Sequence, residues 1–102
     1  MSKDDILFLK EKAEKFDKYS KIFFKNKDYD FAAFHLEQAV QLSLKYSIAL
    51  KLGDFPKIHP LRILLKNLRD CAPEIQEKIV ELEKNNENTI KNLDKAYLTS
   101  RY

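Results

Sequence analysis

The stretch Tyr29–Leu68, YDFAAFHLEQAVQLSLKYSIALKLGDFPKIHPLRILLKNL, decides the fold. Its first half predicts a helix over about Asp30 to Leu52, closed by Gly53, the only glycine in the chain and a natural left-handed stop. At about 1.5 Å per residue such a helix is roughly 35 Å long, enough to traverse a small domain. Its broad apolar arc carries Ala32, Leu36, Ala39, Val40, Leu42, Tyr46 and Leu50, with Ser43 and Ser47 near the middle. Small residues there would let a neighbouring helix approach closely. Glu37, Gln38, Gln41 and Lys45 form a polar arc, interrupted by Phe34, Ile48 and Leu52. A helix apolar nearly all round is a central one, so this is the element expected to be most buried, Leu36 and Leu42 included. The interruptions could alternatively face another chain. A loop over Asp54–His59 follows, and Pro60 suits the first position of a third helix, where its missing N–H does no harm. Leu61, Leu64, Leu65 and Leu68 mark that helix's buried face, while Arg62, Lys66 and Arg69 line the other side.

Upstream, Ile6, Leu9, Ala13, Phe16, Ser20 and Phe23 recur at helical spacing, so a first helix runs from about Asp4 to Phe24. Ser2 can cap it, and Asp4 and Asp5 suit its positive end. Glu11/Lys15, Glu14/Lys18 and Asp17/Lys21 are i, i+4 pairs on its wet side. Asn26-Lys27-Asp28 supplies a short turn. Downstream, Cys71-Ala72-Pro73 breaks the third helix. Ile75, Ile79, Leu82, Ile90, Leu93 and Tyr97 then keep helical spacing across Asn85-Asn86, as one long helix or as two with a kink there. With one glycine and three prolines among 102 residues, little material remains for strand turns. The expected architecture is an all-α, antiparallel up-and-down bundle of four to five helices, residues 1–102 forming one domain.

A chain of this length buries roughly 60–70% of its unfolded surface, a thin core. Thin core and the apolar interruptions Phe34, Ile48 and Leu52 together predict a two-fold homodimer. The formal net charge of +3 permits an anionic partner without demanding one. The lone Cys71 excludes an internal disulfide and a cysteine metal site, and favours a reducing, cytoplasmic setting. The N-terminal residues lack the apolar core of a signal peptide, and no run is long enough to span a bilayer, so no membrane partner is expected.

No glycine-rich phosphate loop, Ser/His/Asp order, Cys/His pair or carboxylate cluster at metal spacing occurs, so no catalytic residue, metal or cofactor is expected. His35 lies in the apolar arc and is expected to be buried or to face a second copy. His59 stands just before a helix start, where a cap or loop contact is the ordinary role. The Arg62, Lys66, Arg69 stripe matches an ordinary solvated face more often than a phosphate site.

The apolar helix with its His-x-Glu-Gln-Ala-Val core (His35–Val40), the proline-punctuated loop with His59, and the tail LDKAYLTSRY (Leu93–Tyr102) together resemble the HEPN domain family. The family is named for nucleotide binding in higher eukaryotes and prokaryotes. The resemblance implies a small helical module, often with a histidine at the position of His59. In members that accompany minimal nucleotidyltransferases, an Ala/Ser-Arg-Tyr-Pro segment follows a helix ending in Tyr, and Tyr97, Arg101 and Tyr102 match that arrangement up to the proline. It implies a nucleotide or RNA ligand and a toxin–antitoxin-like pairing with a separately encoded nucleotidyltransferase. An arginine can grip a phosphate at two points and a tyrosine can stack on a base. The candidate binding residues are therefore Arg101, Tyr102, Tyr97, His59, Arg62, Lys66 and Arg69. In the family's ribonucleases an Arg-x-x-x-x-His motif supplies the catalytic pair. Here Arg62 and Arg69 have no histidine at that distance and only Tyr102 follows Arg101. The expectation is thus a non-catalytic binding protein. A divergent HEPN-type ribonuclease and a structural helical adaptor are the alternatives.

Overall fold

The computed structural model describes residues 1–100, and among these there are five α-helices and no strand. They are α1 (Lys3–Lys25), α2 (Tyr29–Leu52), α3 (Leu61–Cys71), α4 (Gln76–Asn85) and α5 (Glu87–Ser100), with a 3₁₀ turn (Pro73–Ile75) before α4. The all-α bundle expected from the periodicity is the fold. Of the two arrangements open for the C-terminal half, the chain adopts two helices, broken at Asn86 (φ −127°, ψ 26°).

The helix starts and stops follow local chemistry. At the head of α1 the Ser2 hydroxyl accepts from the Asp5 amide (3.1 Å) and the Asp5 carboxylate accepts from the Ser2 amide (3.3 Å). This reciprocal pair satisfies two donors that the helix itself cannot. Lys27, at φ +66°, turns the chain from α1 into α2. Gly53 closes α2 at φ +81°, a region that costs glycine little. Its carbonyl accepts from the Met1 ammonium (3.3 Å), so the start of α1 lies beside the end of α2 and the two run antiparallel. Pro60 caps α3 rather than opening it, and the free Leu61 amide donates to Asp94 of α5 (2.8 Å).

Helix α2 packs against α1, α3 and α5, as a central helix must. The core joins its Ile48 to Leu64, Leu65 and Leu68 of α3, Ala72, and Ile79 of α4. All four leucines expected to form the buried face of α3 do so. In α1, Leu9, Ala13 and Ser20 are buried, in the expected register.

The face that α2 turns inward corrects the expectation from its apolar arc. Leu36 (38% exposed) and Leu50 (60%) look outward, and Leu42 is only half-buried. Glu37, Gln41 and Lys45 point inward instead, with Ala32, Ala39, Ile48 and Ala49. Of the three interruptions of the polar arc, Ile48 is fully buried and cannot meet a second chain, whereas Phe34 is half-buried and Leu52 exposed. The physical reason is that hydrogen bonds between the polar residues offset the cost of burying them.

Candidate functional site

Glu37, Gln41 and Lys45 are four residues apart and stack along one side of α2. The Gln41 amide donates from Nε2 to the Glu37 carboxylate (3.0 Å), and Lys45 Nζ donates to Gln41 Oε1 (2.9 Å). Gln38 Nε2 adds a second donor to Glu37 (2.7 Å). The result is a buried ladder running from a carboxylate through an amide to an ammonium. No buried side-chain polar atom among the described residues lacks a hydrogen-bond partner. Burial pushes the Glu37 carboxyl above the ordinary 4.5, against the lowering effect of Gln41 and Gln38; nearby Asp94 adds to the rise and Lys45 opposes it. Burial likewise pulls the Lys45 ammonium below its usual 10.5, with Glu37 pulling the other way.

The ladder is tied to the loop after α2. His59 Nδ1 lies 3.2 Å from Gln41 Oε1. Because an amide oxygen only accepts, Nδ1 is the nitrogen that carries hydrogen. The Phe55 ring lies under Lys45 Nζ, 5.3 Å from its centroid. On its other side, the His59 ring packs against the ring of Tyr97 from α5, with centroids 5.1 Å apart and planes 31° apart. Asp94, one turn before Tyr97, caps α3 through Leu61. Loop, α2 and α5 thus meet around one histidine–tyrosine pair, underlain by the polar ladder.

Of the residues singled out in the sequence, His59 and Tyr97 are brought together. The basic stripe is divided. Arg69 pairs with Glu83 of α4, and exposed Arg62 lines a recess of about 400 Å³ between α3, α4 and α5. That recess also holds Glu83, Glu87 and Asp94, against Lys84 and Lys91, so its charges balance. Lys66 is exposed on the same helix. Arg101 and Tyr102 lie outside the described residues. His35 donates from Nδ1 to the Phe31 carbonyl (2.7 Å) among the rings of Phe16, Phe23 and Phe34, a packing role. The residues that the sequence reading missed are Glu37, Gln41, Lys45 and Asp94. One signal was present: the Glu-x-x-x-Gln-x-x-x-Lys stripe runs straight into Ile48, an apolar continuation that a solvated face would not need.

Comparison with curated proteins and with solved structures gives no match. A family profile described as the HEPN domain matches residues 6–102, nearly the whole chain. It spans α2, the His59 loop and the Tyr97 helix, the elements that build the site above. The chain belongs to the HEPN domain family.

Proposed function

We propose that this HEPN protein binds a nucleotide or a nucleic acid without cleaving it, as a homodimer and as the partner of a separately encoded nucleotidyltransferase. The observation that carries this reading is the His59–Tyr97 pair. It brings two π-systems together, with centroids 5.1 Å apart, where the loop after α2 meets α5. A base can stack on such a ring, and Arg101, four residues beyond Tyr97 in sequence, supplies a fork for the phosphate. With Arg69 engaged by Glu83, Arg101 with Arg62 and Lys66 are the cations we assign to the ligand. The non-catalytic part rests on the sequence, since neither Arg62 nor Arg69 is followed by a histidine at the spacing the family's ribonucleases use. HEPN domains often dimerise, which supports the oligomeric part. Among the described residues no helix is long and apolar enough to cross a membrane.

The test is a binding titration with a labelled single-stranded RNA and with ATP over a salt series, alongside a nuclease assay on the same preparation. Binding should weaken as salt rises, because counterions are released. Arg101→Ala should weaken it further and flatten the salt dependence. Tyr97→Ala should weaken it while leaving the salt slope unchanged. RNA cleavage by the wild-type protein would favour the ribonuclease alternative. No binding to either probe, and no thermal stabilisation by them, would leave the adaptor reading.

A further inference from the structure

The polar ladder of α2 has a direction, and it leads to His59. Glu37 as a carboxylate can only accept, and Lys45 as an ammonium can only donate. The amide of Gln41 between them fits one way round, with Nε2 toward Glu37 (3.0 Å) and Oε1 toward Lys45 (2.9 Å). Both oxygens of Glu37 are engaged, one by Gln41 and the other by Gln38 (2.7 Å), which holds the carboxylate in place. Glu37 and Gln41 are 0% and 4% exposed, so bulk water does not compete for these bonds. Oε1 has a second lone pair, and His59 Nδ1 lies 3.2 Å from it. Nδ1 then carries hydrogen, and in the neutral ring Nε2 carries the lone pair.

The rest of His59 is restrained by other neighbours. Ile58, just before it, packs against the core. Pro60, just after it, limits His59 to extended backbone conformations. The Tyr97 ring lies against the imidazole. Backbone, ring plane and tautomer are thus each set by a different contact. Stability alone does not explain the ladder, because buried ion pairs are often matched or bettered by apolar residues of similar volume. A directed chain of polar groups does what apolar residues cannot: it assigns the proton of an exposed imidazole to one nitrogen.

We infer that Gln41 is a positioning residue for the nucleotide site: it holds His59 as the Nδ1–H tautomer with its ring against Tyr97, so that a base meets a preset surface whose Nε2 edge is an acceptor. The ligand part rests on the nucleotide reading above, and the tautomer does not.

Nitrogen NMR of the isotopically labelled full chain reads the tautomer directly, in mildly alkaline solution where imidazole rings are neutral. His59→Asn identifies the signal, His35 being the other histidine. Wild-type protein should show Nδ1 protonated and Nε2 bearing the lone pair. Gln41→Leu should move His59 toward the Nε2–H form that unconstrained imidazoles favour. It should also weaken ATP binding by about fivefold or more, the lower end of what one base–ring stack contributes. Lys45→Met breaks another bond of the same ladder but leaves Oε1 facing His59, so it should lower stability and keep the tautomer. The exchange Glu37→Gln/Gln41→Glu keeps an acceptor opposite Nδ1 and should keep the tautomer and the affinity. Should Gln41→Leu fail to fold, the wild-type spectrum and the exchange variant decide. An Nε2–H His59 in the wild-type protein overturns the inference. So does a folded Gln41→Leu protein with a changed tautomer and unchanged affinity. A wild-type protein with the Nδ1–H tautomer that binds neither ATP nor RNA overturns the nucleotide reading and leaves the hold of Gln41 on His59 standing.

Discussion

Gln41 is the joint of the polar ladder, and Gln41→Leu keeps its approximate volume while removing its amide. Three hydrogen bonds are lost: to Glu37 (3.0 Å), from Lys45 (2.9 Å) and from His59 (3.2 Å). The first two involve ionic groups that are almost inaccessible, Glu37 at 0% and Lys45 at 6% exposure, so water cannot replace the missing partner. Hydrogen bonds to charged groups are each worth about 1.5–3 kcal/mol. His59 is an exposed residue and water can serve it, so its bond counts for little. Burying the leucine returns part of the loss, roughly 1.5–3 kcal/mol when burial is complete. The expected net destabilisation is about 1.5–3 kcal/mol, a fall in Tm of roughly 6–24 °C for a domain of this size. Urea denaturation followed by circular dichroism reads it as a lower midpoint at unchanged slope. The triple variant Glu37→Leu/Gln41→Leu/Lys45→Met removes both charges with the joint and should recover most of the loss, since well-packed apolar replacements of buried ion pairs are often neutral or better. A Gln41→Leu midpoint equal to wild type would show that the ladder is hydrated and that the inward face of α2 is wrongly assigned.

Leu64, fully buried against the α2–α3–α4 core, should cost roughly 2–5 kcal/mol on truncation to alanine, whereas Leu52→Ala, at 64% exposure, should stay within about 0.5 kcal/mol; thermal unfolding compares them. The pH dependence of stability should carry the mark of Glu37. Its carboxyl binds a proton more tightly folded than unfolded, so its stabilising contribution is complete below 4.5 and is lost as pH rises through the raised folded value. Stability relative to Glu37→Gln should therefore fall from acid toward neutral pH, and a flat difference curve would refute the assignment. Asp94→Ala removes the acceptor of the Leu61 amide at the head of α3 and should cost about 0.5–2 kcal/mol, with Asp94→Asn recovering much of it in the same unfolding assay.

The sequence made the first three helices legible to within a residue or two, because capping residues and apolar periodicity are local signals, while the C-terminal half stayed open between one helix and two. Ser2 with Asp5, Gly53, and the Leu61–Leu68 face needed no knowledge of the rest of the chain. The rotation of α2 about its axis was not legible in the same way. Counting apolar residues places Leu36 and Leu50 inside. The chain instead buries Glu37, Gln41 and Lys45, because four-residue spacing lets them satisfy one another and because His59 and Phe55 arrive from the loop to cover them. That arrival is a tertiary event, and so is the meeting of His59 with Tyr97 across 38 residues of sequence. The division of the basic stripe has the same origin, since the Arg69–Glu83 pair joins helices whose relative placement no local pattern specifies.

The spacing of these ties along the chain also sets an order of assembly. Loop-closure entropy rises with the length of chain enclosed. The α1–α2 hairpin, closed by the three residues Asn26–Asp28, is the least costly tertiary structure to nucleate. The Gln41–His59 tie encloses 18 residues and draws the loop and α3 onto the hairpin next. The Leu61–Asp94 cap, 33 residues apart, can close only when α5 has docked. The transition state for folding is therefore expected to be built mainly from α1 and α2, with the His59–Tyr97 pair forming later. Substitutions in the hairpin should slow folding, while those around Tyr97 should chiefly speed unfolding.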